Sequence, residues 1–131
     1  MSFVDSHRGE RDRLGRPLRG DVSSAYPQVP EHPDISDSDA WNQAMDYLQQ
    51  GLPFHVHEIC EQRWRCAPLE SKDAWRALAQ WGAALTQAAR GNEIGAQTLA
   101  QRAFENLTQA NCVPAIIDRD LVITTLKSLL A

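Results

Sequence analysis

Residues 73–91 read DAWRALAQWGAALTQAARG. Small and apolar side chains run almost all the way round a helix drawn through them. A helix of that kind is covered on most sides and sits at the centre of a bundle. Ser71 can cap its start and Gly91 ends it. Reading outward, Asn92 can cap a following helix, in which Ala96, Leu99, Ala100, Ala103, Phe104 and Leu107 form one apolar stripe. Pro114 breaks the chain, and Asp118 can cap a last helix carrying Leu121, Val122, Leu126 and Leu129. Toward the N-terminus, Pro53 suits the first turn of a helix that runs to about Cys66, before Pro68. Before it, Asp37 or Ser38 can cap a helix with Trp41, Ala44, Met45 and Leu48 on one face and Gly51 at its end. No segment alternates like a strand. The expectation is an all-α fold, a compact bundle of about five mostly antiparallel helices over residues 38–131.

Residues 1–37 have a different composition. Four of the seven prolines lie there, and apolar residues follow no period. This is the pattern of an extended or disordered arm. Its five arginines, Arg8, Arg11, Arg13, Arg16 and Arg19, are interleaved with Asp5, Glu10, Asp12 and Asp21. Polyanions are bound by blocks of one sign, so a self-compensating arm argues against nucleic acid as a partner. The net charge of −4 points the same way. No run approaches the roughly 20 apolar residues of a membrane span, and no signal-like stretch opens the chain. Cys60, Cys66 and Cys112 are odd in number and form no C-x-x-C pair. That argues against a disulfide framework and fits a reducing cytoplasm.

Chemistry concentrates in PFHVHEICEQRW, residues 53–64. With about 100° per residue and His57 at zero, Glu61 falls near 40°, Trp64 near 340° and Phe54 near 60°. Glu58 is beside that edge at about 100°, and His55, at about 160°, is expected to meet water. In the central helix Arg76, Gln80 and Gln87 form one polar seam down a face otherwise built for burial. An unpaired buried polar group costs about 1–3 kcal/mol, so the seam is expected to face His57 and Glu61. The set would be a polar pocket between the second and third helices, walled by Trp64 and Phe54, with Trp81 a further wall candidate.

Histidine and glutamate at i, i+4 can both ligate one ion, so a divalent metal is the cofactor this pattern accommodates, held by His57 and Glu61 with Glu58 as ligand or base. A tight zinc site needs three or four ligands, and Gln87, Cys60 or a second chain would have to complete it. Two other readings stand beside it: a hydrogen-bonded network that fixes a helix crossing, and a ligand pocket. A non-enzymatic interaction module, a homodimer or a complex with another protein, is the alternative function. Cys60 is flanked by acids that raise its pKa, and no phosphate loop or nucleophile elbow is present. The residues therefore specify no reaction and no substrate. Trp41, Trp75 and Trp81 read as core.

QGLPFHVHEICEQRWRCAP, residues 50–68, resembles the signature of the family called domain of unknown function 309. Gly51, Phe54, His57, Glu58, Glu61 and Trp64 match its pattern, with Pro53 and Val56 as variants. WRALAQWGAALTQAARGNEIGA is similar to the family's second block at Leu78, Gln80, Arg90, Gly91, Asn92, Gly95 and Ala96. RDRLGRPL in the arm looks like the head of some members, which extends the resemblance over residues 11–107. The resemblance implies a small all-helical protein whose His57 and Glu61 bind metal. Many members carry histidine where this chain has Gln87, so a second nitrogen ligand is missing here.

Overall fold

A computed structural model describes residues 28–131. The arginines of the arm, and with them the nucleic-acid question, lie outside the described residues. Five helices follow in order: α1 (Asp37–Gln49), α2 (Pro53–Cys66), α3 (Lys72–Ala89), α4 (Glu93–Gln109) and α5 (Arg119–Leu130). A short 3-10 turn, Leu69–Ser71, joins α2 to α3, and no strand occurs among the described residues. The helices pack as the sequence leads one to expect, with α3 in the middle, against α2, α4 and α5. α1 packs on α2 and reaches α3 through Trp41, which stacks on Trp81 with ring centroids 6.4 Å apart.

Local signals set the helix ends, with two departures. Gly51 and Gly91 take φ of 70° and 82°, the left-handed conformation that closes α1 and α3. Asn92 and Asp118 accept backbone N–H bonds from Gly95 and Leu121 and cap α4 and α5. The cap of α1 is Ser36, not Asp37 or Ser38; its Oγ accepts from the Asp39 N–H. This frees the Asp37 carboxylate for tertiary bonds. Ser71 does not cap α3 through its side chain either. The 3-10 turn already directs the chain into α3, and the Ser71 hydroxyl donates back to the Pro68 carbonyl.

The core is led by Trp75 and Trp81, both wholly buried, with Leu52, Ile59, Leu78, Leu107 and Leu126. The Trp81 indole N–H donates to Thr125 Oγ1 at 2.9 Å, so its polar edge is satisfied and α5 is tied to α3. Ala84, Ala100 and Ala103 are fully buried, and such small side chains let helices approach closely. All three cysteines are free thiols. No helix among the described residues is long and apolar enough to cross a membrane.

The last part of the arm is held. Gln62 on α2 uses both ends of its amide on the segment before α1: Nε2 donates to the Pro30 carbonyl at 2.8 Å, and Oε1 accepts from the His32 N–H at 3.0 Å. Ile35 enters the core at 4% exposure. Arg63 Nη1 donates to the Ile35 carbonyl at 2.9 Å, and Arg63 Nε donates to Asp37 Oδ1 at 2.8 Å. The Trp75 indole N–H donates to the same Asp37 oxygen, also at 2.8 Å. Partial burial pulls the Arg63 guanidinium down, but its bonds to Asp37 and Cys66 outweigh that and leave it above the ordinary arginine range. Through Arg63, one carboxylate thus joins α1, α2 and α3 to the strap, the segment 30–36 that precedes α1.

Candidate functional site at the α2–α3 crossing

Pro53 occupies the first turn of α2, where its missing N–H costs nothing. One turn later the helix backbone presses on α3. A Cβ added to Gly82 would lie 2.5 Å from the His57 backbone nitrogen and 2.6 Å from its Cα, so only glycine permits this approach. The approach brings the His57 ring to the α3 backbone. His57 Nδ1 is 2.9 Å from the Ala79 carbonyl oxygen. A carbonyl only accepts, so Nδ1 carries the proton and donates it. Nε2, on the outer side of the ring, stands 3.0 Å from Glu61 Oε2. The second carboxylate oxygen of Glu61 accepts from Arg65 Nη2 at 2.6 Å. The His57 and Glu61 side chains are 25% and 28% exposed, which makes the pair a shallow site open to solvent.

Phe54 borders the imidazole, its ring 5.8 Å from that of His57 and tilted by 46°. Trp64 is partly buried and packs on the hydrophobic core. Glu58 is half-buried on the same helix, and its charge acts on Arg65. The Glu61 hydrogen bond is the largest influence on that guanidinium and holds it above the usual arginine range, with the charges of Glu61, Glu58 and Glu31 adding to the effect.

The polar seam of α3 does not face this pair. Gln80 Oε1 accepts from Asn106 Nδ2 on α4 at 2.7 Å, and Gln87 Oε1 accepts from Asn92 Nδ2 at 3.1 Å. Arg76 is exposed. At about 100° per residue, Arg76, Gln87 and Gln80 lie roughly 120–160° round the helix from Gly82, which marks the α2 side. α4 covers part of that arc, so Gln80 finds Asn106 on it and Gln87 finds Asn92 at its cap. α3 instead gives His57 a backbone carbonyl. Trp81 also points elsewhere, toward Trp41 and Thr125. His55, expected in water, is 4% exposed and packs on Tyr47 with ring centroids 5.2 Å apart. α2 lies between α1 and α3, so the face opposite His57 is covered as well.

Sequence reasoning missed the junction of Asp37, Arg63 and Trp75. Asp37 reads as a cap and Trp75 as core, and neither reading signals that they meet. The Gln62 clasp left no signal either, because it binds backbone rather than side chains.

A model of the family described as domain of unknown function (DUF309) matches residues 41–99. Over that stretch the chain is similar to the DUF309 family. The matched span is shorter than the resemblance suggested, and RDRLGRPL lies outside both it and the described residues. No curated protein and no solved structure matches the chain. The second DUF309-like block has a structural explanation. Gly91 closes α3, Asn92 caps α4, and a Cβ on Gly95 would come within 2.6 Å of Asn92 Nδ2. That block builds the α3–α4 turn, and Gln87 belongs to the turn through its bond to Asn92.

The donor set at His57 is sparse. Among the described residues no group of three or more His, Cys, Asp or Glu side chains is placed to hold a metal ion. Cys60 is fully buried and does not complete one.

Proposed function

We propose that the domain offers a two-donor half-site for a divalent cation, made by His57 Nε2 and Glu61, with the remaining ligands from water or another chain. The carrying observation is the orientation of His57. Its Nδ1–H is donated to a backbone carbonyl, the usual support for a metal-binding imidazole, and Nε2 is turned toward a carboxylate. A 3.0 Å spacing is also that of adjacent donors around an octahedral ion with bonds near 2.1 Å. One nitrogen and one oxygen suit manganese, iron or zinc, bound weakly because two protein ligands are few. Calorimetric titration of the full chain with Mn²⁺, beside His57→Ala, tests it. Binding should weaken at least about tenfold in the variant. Equal binding in both, or none in either, removes the reading.

A second reading takes the same bonds as a clamp on the helix crossing in a non-enzymatic interaction module. The contact between Gly82 and the His57 backbone favours it. His57→Ala should then lower stability by about 1–3 kcal/mol, read by urea unfolding, because a partly covered carbonyl and carboxylate lose their partner. Mn²⁺ would leave the wild-type melting temperature unchanged, whereas the half-site raises it with ion concentration. Sedimentation of the chain tests for the homodimer that an interaction module can form.

A further inference from the structure

We infer that Arg65 is a built-in competitor for the cation at Glu61, and that Glu31 on the strap is the second carboxylate to which it moves when an ion binds. The inference rests on the half-site reading. Arg65 Nη2 holds Glu61 at 2.6 Å while its side chain remains 58% exposed, so it is paired yet free to swing. An ion at Glu61 would stand beside a permanent positive charge on the same carboxylate, and like charges there repel. The guanidinium has somewhere to go. Gln62 fixes the backbone at Pro30 and His32, the two neighbours of Glu31. Glu31 and Arg65 line one open cleft of about 250 Å³ beside α2, together with His32, Pro33, Gln62 and Cys66. The strap therefore places a spare acceptor in the cleft that Arg65 itself lines.

Mn²⁺ affinity, measured by calorimetry on the full chain, decides the matter with four variants. Arg65→Gln should bind about three- to fivefold tighter, the range that removal of an exposed ion pair allows. Arg65→Lys should stay near wild type, because the charge remains. Glu31→Gln should weaken binding when Arg65 is present and leave it unchanged when combined with Arg65→Gln, since only coupled sites depart from additivity. An equal loss from Glu31→Gln in both backgrounds means that Glu31 acts by its field alone, and overturns its role as acceptor. His57-dependent binding that Arg65→Gln does not tighten overturns the competitor role and leaves the half-site standing. No binding in wild type or in Arg65→Gln overturns both.

Discussion

Gly82 sets how near α2 comes to α3, and through that distance it decides what His57 can reach. With a hydrogen in place of a side chain, the His57 backbone lies where a methyl group would sit, and the imidazole meets the Ala79 carbonyl. Neither neighbour is a flexible side-chain end, so a larger residue has nothing soft to push aside. Gly82→Ala should cost about 3 kcal/mol in urea unfolding, despite alanine's better helix propensity, because a packed interface has to open. A variant that is as stable as wild type would show that the crossing relaxes freely. His57 shows how far residue identity leads. Its spacing from Glu61 was legible, and the two do meet, 3.0 Å apart. Its inner partner was not, because a backbone carbonyl leaves no trace in the side-chain pattern.

The turn between α3 and α4 shows how an element boundary is built from interdependent residues. Asn92 Oδ1 caps α4, Asn92 Nδ2 reaches back to Gln87, and Gly95 leaves the room that the amide needs. Replacing Asn92 by alanine should cost about 1 kcal/mol. Gly95→Ala should destabilise the native chain by displacing that amide. In an Asn92→Ala background the same change should stabilise by up to about 1 kcal/mol, since only helix propensity then remains. Urea unfolding of the two single variants and the double variant reads the sign directly. A stabilising Gly95→Ala in the native background would show that the cap tolerates a methyl group. At this scale the sequence was a good guide: Gly51, Gly91, Asn92 and Asp118 act on groups only a few residues away. The cap of α1 moved to Ser36 because tertiary bonds claim Asp37.

Across the whole molecule, burial grades the three thiols. Cys112 is exposed, Cys66 is half-buried beside Arg63, and Cys60 is fully buried, its thiol pushed above the ordinary cysteine range by desolvation. An aromatic disulfide reagent should label Cys112 at once and Cys66 more slowly, while Cys60 should react only at the rate of global opening. Prompt labelling of Cys60 under native conditions would mean that α2 detaches locally from the core. The same grading separates what the chain wrote locally from what packing decided. By itself the sequence determined the five helices, the central place of α3 and the His57–Glu61 pair, because each follows from a period of about 3.6 residues. Tertiary structure decided which neighbour covers each face. It turned Gln80 to Asn106, buried His55 against Tyr47, and gathered Asp37, Arg63 and Trp75 on one carboxylate oxygen. Spacing along a helix fixes the angle at which a side chain leaves it, and only the arrangement of the other helices determines what stands there to meet it.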